Sequence, residues 1–316
     1  MRIAGLMSAA AAAAVLTPVL DDLKSVCDFG PVVQDLADLP DVDLLVTGWG
    51  CPPITAAVLE RLPSLKAIVH TAGSVKGFVT DACWERGIVV SSAAQANALP
   101  VAEYTVAMIL LSGKRVLERA REYRSTKRMT VYGVPDTVGN FGATVGILSA
   151  SMIGRRVVEL LRPYDFHVLV HDPFVTEVDG AESVSLPELF ERSDVVSVHT
   201  PLLPETRGLV SRELLGLLRD DAVLINTARG AVVDQEALVD EAGRIRAVLD
   251  VTDPEVLPAD HPLWRNDNVL ITPHLAGSQG NEWGRLGRHA VDEVRRWVAG
   301  EPFQTPVPAE RRGRIA

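Results

Sequence analysis

Along this chain, short apolar runs rich in β-branched residues alternate with stretches whose apolar positions recur every third or fourth residue. That alternation predicts strand–helix units feeding a parallel sheet. The first third offers strands at Ile3–Met7, Leu44–Thr47, Ala67–His70 and Ile88–Ser91. After the punctuation Asn97-Ala98-Leu99-Pro100, a long helix is expected over Leu99–Arg124, followed by an irregular stretch, Ser125–Gly142. Six further strands follow at Thr144–Leu148, His167–His171, Val195–His199, Ala222–Asn226, Ala247–Val251 and Val269–Thr272. Six parallel strands separated by helices are what a complete dinucleotide-binding domain requires. A C-terminal helix, Asn281–Gly300, then returns to complete the first domain. The expected fold is α/β, with two Rossmann-like doubly wound domains and one inserted in the other: residues 1–97 with 278–316, and residues 98–277.

Met1–Leu20 carries one arginine and an Ala-rich apolar run, a superficial likeness to a signal peptide. The run passes unbroken into the amphipathic Val19-Leu20-Asp21-Asp22-Leu23-Lys24. A strand followed by a Ser8-capped helix reaching Val26 is therefore preferred. No stretch reaches the roughly 18 uninterrupted apolar residues of a membrane span. A length of 316 residues suits two domains, and 47% hydrophobic with 23% charged residues is an ordinary globular composition. The net charge of −10 argues against nucleic acid or an anionic membrane as partner. Cys27, Cys51 and Cys83 are scattered without a CxxC pair, which suits a reducing cytoplasm and suggests no metal site.

After the strand at Thr144–Leu148 comes Ser149-Ala150-Ser151-Met152-Ile153-Gly154, then an apolar-periodic helix. This is the position of a GxGxxG turn, with serines at the first two glycine positions. The first glycine normally permits the tight turn, the second lets backbone approach a pyrophosphate, and the third allows close helix–strand packing. Only Gly154 survives. The next strand ends at Asp172, 18 residues after Gly154. An acid there accepts from a ribose 2′-hydroxyl and repels a 2′-phosphate, which favours NAD over NADP. A turn acid before Pro173 is the plain alternative use. The two serine hydroxyls could donate to phosphate or crowd it, and the helix N-terminus attracts an anion either way.

Three polar residues lie just beyond consecutive strand ends: Arg229, Glu255 and His274. In an open parallel sheet, ligands bind outside the carboxyl ends of the strands. Reduction of a ketone builds negative charge on its oxygen, and histidine can deliver a proton there at neutral pH. A carboxylate beside the histidine stabilises its charged form and fixes its tautomer, while a guanidinium grips a carboxylate in a fixed fork. Singly, each residue has an ordinary structural use. At successive strand ends they form a set.

The set sits in longer matching stretches. These are Ala72-Gly73-Ser74-Val75-Lys76-Gly77, Val101-Ala102-Glu103-Tyr104, His199-Thr200-Pro201-Leu202 with Glu205-Thr206, Asn226-Thr227-Ala228-Arg229-Gly230, Leu249-Asp250-Val251 with Glu255, Ala259-Asp260-His261-Pro262-Leu263-Trp264, and Thr272-Pro273-His274-Leu275-Ala276-Gly277. In these stretches the sequence resembles the D-isomer-specific 2-hydroxyacid dehydrogenase family, which includes phosphoglycerate dehydrogenase and glyoxylate/hydroxypyruvate reductases. The resemblance implies an NAD-dependent enzyme interconverting a 2-oxo acid and its D-2-hydroxy acid. Arg229 would bind substrate, His274 would exchange the proton, and Glu255 would pair with His274. Asp250 would hold the nicotinamide carboxamide. Further cofactor contacts would come from Ser149, Ser151, Met152, Ile153, Gly154, Asp172, His199, Thr200, Pro201, Thr206, Thr227, Ala228 and Gly277. Backbone amides of Gly73, Ser74, Val75 and Lys76 would receive the small anionic substrate, and the helix from Leu99 would help form a homodimer.

Departures from the family pattern are also visible. The glycine turn is altered, Thr252 and Val256 replace a usual aromatic and proline, and the Arg229–Glu255 spacing of 26 suggests a trimmed helix around Val239–Gly243. Lys76 adds a cation to the carboxylate loop. A lysine occupies this loop in phosphite dehydrogenase, a member of the family, so a phosphite or phosphonate substrate is an alternative. A non-catalytic NAD-sensing protein is another. Trp283 and Tyr104 are aromatic candidates for the substrate pocket, with ordinary helix packing as the plain use. Arg115, Arg119, Arg121, Arg124, Lys127 and Arg128 read as a solvated or intersubunit face.

Overall fold

A computed structural model describes residues 1–129 and 133–309. The chain forms two compact units, Met1–Asn97 with Ser278–Ala316, and Ala98–Gly277. It leaves the first unit within one helix, Ala94–Gly113, and re-enters at Ser278, whose amide donates to Asn97 Oδ1 at 2.9 Å.

In the first unit the strands are β1 (Ile3–Leu6), β2 (Phe29–Val33), β3 (Leu44–Thr47), β4 (Ala67–His70) and β5 (Val89–Ser92). They pair in parallel in the order β2-β1-β3-β4-β5. β1 is therefore an interior strand, and its four residues are all buried. β2 is not among the expected strands because Phe29-Gly30-Pro31 reads as a turn; it is an edge strand, where a missing proline N–H is tolerated.

Ser8 caps the following helix by accepting from the Ala11 amide at 3.3 Å. That helix is not uniform. It passes from α (Ala9–Ala11) to π (Ala12–Leu16) to 3-10 (Thr17–Val19) and back to α (Leu20–Val26). Pro18 lacks the N–H that would continue the α ladder, and the local widening accommodates it. The terminal helix Trp283–Val298 packs here through Gly287, where a Cβ would lie 2.6 Å from the Val15 carbonyl oxygen.

Among the described residues, the second unit holds seven parallel strands: β6 (Thr144–Leu148), β7 (His167–His171), β8 (Glu182–Ser183), β9 (Val195–Val198), β10 (Val223–Asn226), β11 (Arg246–Leu249) and β12 (Val269–Ile271). Their order is β12-β11-β10-β9-β6-β7-β8, so the winding reverses at β6/β9. β8 adds a seventh strand to the expected six; at two exposed residues it carries no readable period. The middle strands β9, β10 and β11 are wholly buried, as a sheet covered on both faces demands. Each fully buried Leu, Ile or Val there contributes about 1.5–3 kcal/mol relative to exposure.

The expected helix Leu99–Arg124 is two helices, Ala94–Gly113 and Val116–Thr126. The break falls at Arg115, whose φ is 50°. A Cβ at Gly113 would lie 1.9 Å from Asn140 Oδ1, while Asn140 Nδ2 donates to Leu110 O at 3.1 Å and ends the helix. Pro100, expected at the helix start, lies inside it. By length and composition this first helix could cross a membrane, yet Ala102, Val106 and Ile109 are buried in the second unit's core. Part of the predicted irregular stretch Ser125–Gly142, residues 130–132, lies outside the described residues.

Candidate active site

The turn after β6 adopts the shape a glycine-rich turn would. Ser149 stands at φ 83°, a left-handed conformation that favours glycine. Gly154 cannot be replaced, because a Cβ there would lie 2.1 Å from the Ser149 carbonyl oxygen. Ser151 caps the helix Met152–Leu161 by accepting from the Gly154 amide at 3.3 Å. Asp172, just beyond β7, reaches back to this turn. Its Oδ2 accepts from Ser149 Oγ at 3.1 Å and from the Ala150 amide at 2.8 Å, and its Oδ1 accepts from the Phe174 amide at 2.9 Å.

β9 ends beside the same turn. The His199 amide donates to Leu148 O at 2.9 Å, and Thr200 Oγ1 donates there at 3.4 Å. His199 is buried, which lowers its pKa to about 3 and keeps it neutral. Its Nε2 lies 3.0 Å from Ser197 Oγ, whereas Nδ1 is buried without a partner. Thr206 Oγ1 donates to Pro201 O at 2.6 Å and accepts from the Leu203 amide at 2.8 Å, fixing the loop after β9. Thr227 is buried, 3.3 Å from Thr105 across the hydroxyls, and the Ala228 amide donates to Asn226 Oδ1 at 3.0 Å. Met152 is exposed, while Ile153 and Gly277 are half-buried.

His274 and Glu255 meet directly. His274 Nδ1 lies 2.6 Å from Glu255 Oε1. A carboxylate oxygen accepts here, so Nδ1 is the donor in this contact and Nε2 is the ring's other nitrogen. Arg229 is half-buried and donates to Ala228 O at 2.6 Å. Burial lowers its pKa, and the charge of Glu255 opposes that shift. The loops after β10 and β11 come together because residue 230 is glycine: a Cβ there would lie 2.0 Å from the Thr252 carbonyl carbon.

Several supports were not legible in sequence. Thr252, one of the departures noted above, donates from Oγ1 toward Pro254 O at 2.8 Å and Glu255 O at 2.9 Å. Gln235 exchanges two hydrogen bonds with the main chain of Asp253. His274 stands at φ 51°, and its amide donates to Asp250 O at 3.0 Å. The Asp250 carboxylate, 1% exposed, accepts from Thr272 Oγ1 at 2.5 Å and from the Leu275 and Ala276 amides, each at 2.9 Å. Because Thr272 gives its only hydroxyl hydrogen to Asp250, Tyr104 must be the donor in the 2.9 Å contact between their hydroxyls. Asp250 and Tyr104 thus brace the loop that carries His274; Tyr104, named above for the pocket, has its hydroxyl engaged inside the unit.

In the first unit, the Gly73–Lys76 loop follows β4. Val75 buries its side chain in that unit's core and its carbonyl accepts from the Val79 amide at 3.0 Å, while the exposed Lys76 donates from its amide to Ser74 Oγ at 3.4 Å. Nothing lies within 4 Å of a Cβ built at Gly73. Trp283 Nε1 donates to Ser278 O at 2.9 Å, an ordinary packing role. Arg115 and Arg121 form ion pairs with Asp221 and Asp267, at 2.7 and 3.0 Å.

A doubly wound unit with a tight turn at its switch point, an acid after the second strand, and an arginine, a glutamate and a histidine at later strand ends has the architecture of a dinucleotide-binding domain. Residues 106–276 match the family described as D-isomer specific 2-hydroxyacid dehydrogenase, NAD binding domain, and the chain belongs to this family. It is 32% identical over 275 residues to the D-3-phosphoglycerate dehydrogenase of Mycobacterium leprae, covering 84% of this chain and 51% of that protein. It is 33% identical over 305 residues to the glyoxylate reductase of Thermofilum pendens, covering 90% and 89%. The chain spans about half the length of the phosphoglycerate dehydrogenases it matches. Among solved structures, a Thermus thermophilus protein is 30% identical with a TM-score of 0.80, covering 98% of this chain and 100% of its own. A D-lactate dehydrogenase of Aquifex aeolicus, complexed with NAD and lactic acid, is 26% identical with a TM-score of 0.72, covering 95% and 96%. The residues present fit NAD: Ser149 adopts the left-handed conformation of the glycine turn, Ser151 caps the helix that follows, and the Asp172 carboxylate lies against that turn.

Proposed function

We propose that this chain interconverts a small 2-oxo acid and its D-2-hydroxy acid, with NAD as hydride carrier. The 2.6 Å contact between His274 Nδ1 and Glu255, beside a half-buried Arg229, carries the reading. Bound nicotinamide supplies the hydride in the reducing direction and takes it up in the other. Arg229 grips the substrate carboxylate and carbonyl in a two-point fork. As the carbonyl carbon is reduced, His274 Nε2–H gives its proton to the oxygen, and the histidine is left neutral with Nδ1–H held by Glu255. In the reverse direction Nε2 takes the hydroxyl proton. In the first unit, the exposed Lys76 gives the Gly73–Lys76 loop a positive charge that suits an anion. The similarity to a glyoxylate reductase over 90% of this chain supports a small 2-oxo acid.

The chain is further read as a cytoplasmic homodimer. Its three free cysteines support the first part. Exposed Val116, Leu117 and Tyr123 on the helix Val116–Thr126 support the second, since they leave an apolar stripe to cover. The activity is tested by following NADH absorbance with glyoxylate, hydroxypyruvate, 3-phosphohydroxypyruvate and pyruvate in turn. At least one should be reduced, and its product should be the D-isomer where a stereocentre forms. Nucleotide binding without turnover of any 2-oxo acid would replace the enzyme by a sensor. Turnover of phosphite with NAD alone would move the substrate to an inorganic oxyanion.

A further inference from the structure

A carboxylate has two oxygens and about four lone-pair sites for hydrogen bonds. On Asp172, three are filled by the chain itself. Oδ2 takes Ser149 Oγ and the Ala150 amide, and Oδ1 takes the Phe174 amide. Two of these donors are main-chain amides, and any residue but proline at those positions supplies them. The third is a side-chain hydroxyl, present only because a serine occupies the first glycine position of the turn. The adenosine ribose of a dinucleotide brings two adjacent hydroxyls, and one open site cannot accept both. Ser149 also holds a left-handed conformation at φ 83°, a cost glycine would not incur.

We propose that the Ser149 hydroxyl occupies an acceptor site on Asp172 that a ribose hydroxyl would otherwise use, so that this serine sets the affinity for NAD. The proposal rests on the nucleotide-binding reading above and makes Ser149 an affinity-determining residue rather than a phosphate ligand. Selectivity against NADP is separate. It comes from the Asp172 charge facing a 2′-phosphate, and it does not need Ser149. The acid keeps its orientation when the hydroxyl is removed, because the Ala150 and Phe174 amides still hold one oxygen each.

The test is fluorescence titration of the full chain with NADH and NADPH, for wild type, Ser149→Ala and Ser149→Gly, together with the unfolding temperature of each unliganded protein. Both substitutions free the acceptor site, and NADH should bind about tenfold tighter in each. NADPH should stay weak in all three. Only Ser149→Gly relieves the backbone, so only it should raise the unfolding temperature. Equal NADH affinity in all three proteins, or weaker binding by both variants, would overturn the proposal while leaving the nucleotide reading intact. No NADH binding by any of the three would remove that reading and the proposal together.

Discussion

His274 is a histidine in a backbone region that histidines rarely occupy, held there by amide bonds and by Asp250 behind it. Strain of this kind persists where the surroundings over-determine it, and it fixes the ring against Glu255. Residue types at strand ends are readable in sequence because a parallel sheet sends every strand's carboxyl end to one edge. Their braces are not. Thr252, Tyr104 and Thr272 act through partners that only the folded main chain brings close, and a hydroxyl carries no signal in a periodicity. At this scale Arg229→Lys is informative. A lysine keeps the charge and loses the fork, so KM for the 2-oxo acid should rise about tenfold or more in steady-state kinetics. An unchanged KM would place the substrate carboxylate elsewhere.

The elements that matter most are legible in the pattern of apolar runs, because the strands β1, β3–β7 and β9–β12 are short, β-branched and bounded by turns. The failures lie at edges and breaks. β2 hides behind Gly30-Pro31, β8 is too short, and the helix break at Arg115 depends on Asn140, 25 residues further on. Contact between the loops after β10 and β11 likewise hangs on one glycine. Gly230→Ala would push a methyl group into the main chain of Thr252 and Asp253. A loss of about 1–3 kcal/mol is expected by thermal or denaturant unfolding. Activity should fall further than stability explains, because the displaced segment carries Glu255. Wild-type kinetics in this variant would uncouple the glycine from the site.

Over the whole molecule, burial sets the response to acid. His70 in the first unit and His199 in the second are each lowered by burial to about 3, from an ordinary value of 6.5. Both are neutral in the fold, whereas the unfolded chain takes up protons below about 6.5. Their contribution to stability is therefore complete above that pH and is lost progressively as pH falls toward 3. The unfolding temperature should drop across this window, and His70→Asn or His199→Asn should flatten the drop while lowering stability at pH 7. A profile with the same slope in wild type and variants would show that these histidines are not what titrates. The division into two units was itself legible, since strands resume a full set after Gly142 and one helix remains for the other unit at the C-terminus.

Comparing His274→Ala with wild type, in NADH consumption with the best 2-oxo acid and in NADH affinity on the same samples, tests the catalytic assignment most directly. The rate should fall about 10²–10⁴-fold with the nucleotide bound as before. A variant that turns over substrate as fast as wild type would contradict it.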